Sequence, residues 1–205
     1  MDKKEAEEKI EALRKEINHH NYKYYVENNP EISDYEFDQL LKKLEKLEEE
    51  FPDLVTPDSP TQRVGGEPLD EFQTVEHKVP MLSLANTYNE QELIDFDERV
   101  QKHVEKVEYV VEPKIDGAGI ALYYENGVLV RGATRGDGKK GDDITQNLKT
   151  IHSIPLRLQG DELSTVEVRG EVFMTKSGFK RYNKELIKQD KQPFANPRNA
   201  AAGSI

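Results

Sequence analysis

Apolar residues recur at three- and four-residue spacing near the start of the chain: Ile10, Leu13, Ile17 and Tyr24, with lysine and glutamate on the other faces. That period predicts an amphipathic helix from residue 2 to about 28, stopped by Asn28-Asn29-Pro30. Ser33-Asp34-Tyr35-Glu36 has the form of a capping box, with Ser33 as N-cap and Glu36 reaching back. It opens a second helix to about Glu50, striped by Leu40, Leu41, Leu44 and Leu47. Together the two predict a helical hairpin, a small module of its own. Between Phe51 and Pro80 the chain is rich in Pro, Asp and Gly and reads as irregular. Thr87-Tyr88-Asn89-Glu90 is another capping-box candidate, ahead of a helix carrying Leu93, Phe96 and Val100.

The pattern then shifts to a period of two. Tyr109 to Lys114 reads as a strand, with Val111, Pro113 and Ile115 toward a core and Glu112, Lys114 and Asp116 sharing the opposite face. Ile120–Tyr124 and Val128–Val130 flank Asn126-Gly127, the strongest hairpin signal in the chain. Arg135 to Asp143 is a charged glycine loop. It is neither a P-loop, because Asp142 follows Gly141 where lysine is required, nor an EF-hand, because its carboxylates are wrongly spaced. A short helix is expected over Ile144–Thr150, strands over Ile154–Leu158 and Val166–Met174, and a helix over Ser177–Lys188. In the second of these strands Glu167, Arg169 and Glu171 share a face opposite Val166, Val168 and Val172, which could present Glu171 to the same site as Lys114. From Phe194 to Ile205 there is no stop signal, and the sequence reads as a piece of something longer. The expected class is α+β: a helical hairpin followed by antiparallel β structure.

Composition narrows the function. The chain has 205 residues, with 34% charged, 35% hydrophobic and a net charge of -11. So acidic a chain is a poor non-specific binder of nucleic acid, and any DNA must be held by a local patch or by a part not present. There are no cysteines, which excludes disulfides and thiolate zinc sites. The five histidines (His19, His20, His77, His103 and His152) show no ligand-like spacing, so no metal site is expected. No apolar run is long enough to cross a bilayer and no signal peptide opens the chain, so a cytoplasmic protein is expected. Candidate chemistry centres on Lys114, an amine between two carboxylates. A lysine with its ordinary pKa of about 10.4 is protonated near neutrality, so a nucleophilic lysine needs desolvation or a nearby cation. The plainer reading of the same pattern is a salt-bridged solvent face.

Lys114-Ile115-Asp116-Gly117 matches the Lys-x-Asp-Gly signature of covalent nucleotidyltransferases. The segments around residues 58–65, 80–84, 134–138, 141–145, 167–171 and 194–204 narrow the match: in order and over essentially the whole chain, the sequence resembles bacterial NAD-dependent DNA ligases. The resemblance implies a helical module for the nicotinamide mononucleotide (NMN) half of NAD over residues 1–60, a linker over 61–80, and the truncated first part of an adenylation domain of nucleotidyltransferase, ATP-grasp-like antiparallel β type over 81–205. It implies that Lys114 attacks the α-phosphorus of NAD, releases NMN and becomes lysyl-AMP, with Asp116 and Glu171 holding ribose or Mg²⁺. NMN contacts would come from Tyr24, Tyr25, Asp34, Tyr35, Glu36, Phe37 and Asp38. Adenosine contacts would come from Ser83, Leu84 and Glu112, and Arg135 would sit at the nucleotide. Tyr25 stands where the family commonly has histidine and Phe37 where it has tyrosine. Pro113 and Ala118-Gly119 replace a commoner Leu and Leu-Ala. The implied partner is nicked double-stranded DNA, sealed in replication and repair by a monomer whose zinc site lies outside this chain. The chain alone is not expected to seal nicks. An ATP-dependent covalent nucleotidyltransferase and a non-catalytic nucleotide-binding module stay open beside this reading.

Overall fold

The computed structural model describes residues 2–25, 27, 29–63, 72–159 and 164–205, with Asp34 described by its backbone. Helix α1 (Lys3–Tyr25) lies against α2 (Asp34–Glu50). The expected capping box is formed: the Ser33 backbone N–H donates to Glu36 Oε2 at 2.9 Å, and the Glu36 N–H donates to Ser33 Oγ at 3.3 Å. Ile10, Ile17 and Leu44 are fully enclosed between the helices, flanked by Leu13, Phe37, Leu40, Leu41, Leu47 and Leu54. Buried Glu48 ties this module to the chain that follows it. It receives Arg14 Nε at 3.0 Å and Ser59 Oγ at 2.7 Å, and the Thr61 hydroxyl donates to its other oxygen. An acid so enclosed needs this full set of donors to offset its desolvation.

The β half is built around one strand. Strand β1 (Thr74–Glu76) and α3 (Glu90–Gln101) come first. Strands β2 (Ala118–Glu125), β3 (Val128–Thr134), β4 (Lys140–Asp142) and β5 (Thr165–Val172) follow, with helices α4 (Thr145–Lys149), α5 (Lys176–Lys188) and α6 (Pro197–Ala202). The main sheet has the order β3-β2-β5 and is antiparallel, with Gly119 opposite Glu171 and Ala121 opposite Arg169. The β2–β3 turn is at Asn126-Gly127, both with positive φ (48° and 76°), which is the geometry an Asn-Gly hairpin turn requires. One face of the sheet packs Ile120, Leu122, Tyr124 and Leu129 against Ile144, Leu148, Ile154 and Leu156. The other packs Ala121, Tyr123 and Ala133 against Met81 and Val75. Covered on both faces and both edges, β2 is the centre of this half, and burial pushes the Tyr124 phenol up to about 12.

Several expectations are corrected. Residues 109–116 form no strand and pair with no strand among the described residues. Val111, expected to face a core, is 94% exposed and Val110 is 86% exposed. Without a neighbouring strand, extended backbone leaves its N–H and C=O groups to water, and alternation alone cannot create a sheet. The stretch read as an irregular linker contains a 3₁₀ turn at Pro60–Arg63 and strand β1, which pairs antiparallel with β4 in the glycine loop. The Gly65-Gly66 pair lies outside the described residues. Helix α3 is capped by Asn89, whose side chain accepts the Glu92 N–H, two residues later than expected. Residues 154–158 make a single bridge, Arg157 to Val128, rather than a strand.

The two halves meet through the 3₁₀ turn. Arg63, only 7% exposed, donates to the backbone carbonyls of Lys149 (3.2 Å), Ile151 (3.2 Å) and Ile154 (2.8 Å). Asp58 pairs with Arg157, and Tyr25 stacks on His152 with ring centroids 4.7 Å apart.

A candidate active site in two parts

The first part is a cavity of about 410 Å³ at the end of the helical hairpin. Tyr24, Tyr25, Phe37 and Asp38, all expected from the sequence, line it together with His20, Asn21, Glu31 and His152. The α1 period places Tyr24 and Tyr25 one turn after His20 and Asn21, and the N-terminal turn of α2 brings Phe37 and Asp38 opposite. Tyr35 and Glu36 are not among the lining residues. Tyr35 is exposed, and Glu36 is consumed by the cap, where the Ser33 backbone N–H holds its carboxyl below the usual carboxylate range. His152 was missed by sequence reasoning, because no local pattern connects a residue of the β half to a helical hairpin. Burial, and then the Arg63 charge, lower its pKa from the usual imidazole value.

The second part surrounds Gly117, where the chain enters β2. Glu171 Oε1 accepts the Gly117 N–H at 3.2 Å. A Cβ at Gly117 would lie 2.1 Å from the Val172 carbonyl oxygen, so only glycine allows this approach. Arg135 donates its backbone N–H to Gly119 O at 2.9 Å, and its side chain lies beside Gly119 and Glu171. His77 fixes Arg135 from behind: its Nε2 is 3.2 Å from the Arg135 carbonyl, which can only accept, and its Nδ1 is 2.9 Å from the Tyr123 hydroxyl. Asp116 is reached by Arg198 at 3.3 Å from the start of α6, a partner sequence reasoning did not single out. In the Thr134–Gly138 loop, Asp137 Oδ1 accepts the N–H groups of Lys139 and Lys140, both at 2.8 Å, and those bonds hold its carboxyl low. That acid therefore builds the turn.

The structure thus places Glu171 against Gly117, Arg135 and Glu171 beside Gly119, and Arg198 on Asp116. It does not enclose Lys114. Glu112, Lys114, Ser83 and Leu84 are exposed, and Lys114 lines none of the three described cavities. The expected rigid strand under the amine is absent.

Comparison with known proteins defines the class. Residues 69–205 match the NAD-dependent DNA ligase adenylation domain, and residues 3–65 match the DNA ligase-like N-terminal NAD⁺-binding domain. The chain therefore belongs to the NAD-dependent DNA ligase family. Among its relatives are DNA ligases of Thermotoga neapolitana (58% identity over 204 residues, 98% of this chain) and Bacillus licheniformis (58% over 205 residues, 100% of this chain). A DNA ligase of a Thermoanaerobacter species is 59% identical over 201 residues. The chain spans 29% and 30% of the first two relatives' own lengths. The α+β class agrees with expectation, and among the described residues no helix is long and apolar enough to cross a membrane.

Proposed function

We propose that this chain is the NAD-loading end of a cytoplasmic DNA ligase that seals nicked duplex DNA in replication and repair. We divide it into an NMN-recognition module (1–60), a connection (61–80) and the first part of an adenylation domain (81–205), with β1 structurally allied to the last. The observation that carries the reading is the Lys114–Gly117 signature running into the Glu171-held turn, in a chain matched along nearly its whole length by ligase domains. The helical cavity takes the NMN half of NAD. The faces of Tyr24, Tyr25 and Phe37 suit a cationic pyridinium, and Asp38 supplies a carboxylate for that charge or for ribose hydroxyls. Tyr25 and Phe37 keep the aromatic faces while changing the polar atoms that the commoner histidine and tyrosine would offer.

The neutral amine of Lys114 attacks the adenylyl phosphorus. A P–N bond forms, the P–O bond to NMN breaks, NMN leaves with the electron pair, and the nitrogen gives its extra proton to water. In-line placement and neutralised phosphate charge govern such a transfer. In this reading Arg135 faces a phosphate, Glu112 accepts from adenine, and Ser83 and Leu84 border the adenosine. Asp116 Oδ1 and Glu171 Oε1 are engaged by Arg198 and Gly117, which leaves the other oxygen of each for a hard cation. If Asp116 and Glu171 hold Mg²⁺, the ion would supply charge neutralisation on the phosphate. The exposure of Lys114 means that the amine must be covered by NAD, by the helical module, or by further chain of the intact enzyme before it reacts. It also favours, for the chain in isolation, a second reading as a nucleotide-binding module without chemistry.

Intact-mass measurement of the full-length enzyme after incubation with NAD and Mg²⁺ tests the proposal. Gain of one adenylyl group with NAD but not with ATP is expected, and Lys114→Ala should abolish it. An adduct that persists in Lys114→Ala refutes the nucleophile. The same measurement on the 205-residue chain decides between the two readings of the piece.

A further inference from the structure

The sequence spacing predicted no metal site, yet folding brings two imidazoles and a carboxylate together beside the helical cavity. His19 and His20 are neighbours near the end of α1, and Glu31 reaches back from the loop before α2. One donor atom from each lies within 4.8 Å of the other two. His19 Nε2 is 2.7 Å from Glu31 Oε2, the rings of His19 and His20 lie edge to face with centroids 5.2 Å apart, and His20 Nδ1 is buried without a hydrogen-bond partner. Lys23 Nζ, 3.6 Å from Glu31 Oε1 and bonded to Glu27 at 2.7 Å, occupies the far side of the carboxylate and leaves Oε2 toward the imidazoles.

We propose that His19, His20 and Glu31 form a site for a borderline divalent transition ion such as Zn²⁺ or Ni²⁺, distinct from the Mg²⁺ position assigned to Asp116 and Glu171. The ligand types favour this class. Imidazole suits zinc and nickel, whereas Mg²⁺ prefers oxygen ligands throughout. Tetrahedral bonds of about 2.0–2.1 Å set ligand atoms roughly 3.3 Å apart, so the His19–Glu31 pair must open by about half an ångström, and a pair as wide as 4.8 Å must close by about 1.5 Å. Both side chains are about half exposed and free to make that adjustment. Three protein ligands leave a fourth position for water or for a ligand atom in the adjoining cavity, which His20 and Glu31 also line.

Calorimetric titration of the 205-residue chain, free of any polyhistidine tag, with ZnCl₂ and separately with MgCl₂ tests this. One Zn²⁺ per chain is expected, with no comparable Mg²⁺ binding. His20→Ala and Glu31→Gln should each weaken Zn²⁺ at least about tenfold, while the His103→Ala control outside the cluster leaves it unchanged. Circular dichroism establishes that each variant keeps its helices, and Glu31→Gln changes charge with almost no change of shape. Absence of Zn²⁺ binding, or binding equally strong in Glu31→Gln and His20→Ala, overturns the site. The measurement involves neither NAD nor catalysis, so it stands or falls independently of the ligase reading.

Discussion

Two neighbouring stretches of this chain have similar side chains and opposite fates. Tyr109-Val110-Val111-Glu112-Pro113-Lys114-Ile115 is rich in β-branched and aromatic residues, as is Ile120-Ala121-Leu122-Tyr123-Tyr124 a few residues on. The second is the middle of a sheet, paired on both edges and covered on both faces, with Tyr124 1% exposed. The first joins no strand among the described residues and lies open to water apart from Tyr109, whose hydroxyl donates to Asp97. β-propensity describes how well a side chain fits a half-buried pleated surface, and it cannot supply the surface. The candidate nucleophile sits on the unpaired stretch, while the residues grouped around Gly117 belong to the junction where pairing begins.

Substitutions sharpen this contrast in order of size. Leu148 is fully buried against the sheet, and Leu148→Ala should cost about 3 kcal/mol in urea unfolding of the β half. A loss under 1 kcal/mol would mean that the sheet core is far looser than described. Next comes Arg63→Met, which keeps the apolar stem but strips three backbone carbonyls of their donor. About 2 kcal/mol is expected, with separate unfolding of helices and sheet replacing a shared transition; an unchanged single transition contradicts the docking.

Smaller still is a pH effect at His152. Its folded pKa lies below the ordinary value of about 6.5, so it is neutral in both states above that pH and costs nothing there. As pH falls through about 6.5 the unfolded chain takes up the proton first, and stability is lost. His152→Phe keeps a ring against Tyr25 and should decline less than wild type from pH about 7.5 to about 5.5. Parallel curves would dismiss His152 as the titrating group. The effect is small because His152 stays partly exposed. Last, Val111→Thr should change stability by no more than about 0.5 kcal/mol in this chain. A loss above 1 kcal/mol would show that the stretch is buried in solution and would erase the contrast.

What could be read from the sequence was local. The Ser33/Glu36 cap, the two helix stripes and the Asn-Gly turn each lie within one short stretch of chain, and they formed as expected except that Tyr24 of the first stripe is exposed. Strands β1 and β4 escaped notice because each is three residues long and its partner is remote in sequence. Helix α6 escaped because a six-residue Pro-Arg-Asn-Ala-Ala-Ala segment carries no measurable period. The same rule governs the site. Tyr24, Tyr25, Phe37 and Asp38, which the family resemblance pointed to, sit on two adjacent helices and line one cavity, whereas His152 and Arg198 arrive from distant chain. The His19–His20–Glu31 cluster was hidden by a loop closure that no spacing rule describes.

Glu48 has a mechanical corollary. It grips Arg14 on one helix and Ser59 and Thr61 beyond the other, and two residues later Arg63 is plugged into the β half. There is no slack between grip and plug. Turning the helices relative to the sheet must therefore either open a buried acid or withdraw a buried guanidinium, and both resist strongly. The helical hairpin behaves as a latched handle, and whatever swings it must bring the driving force with it.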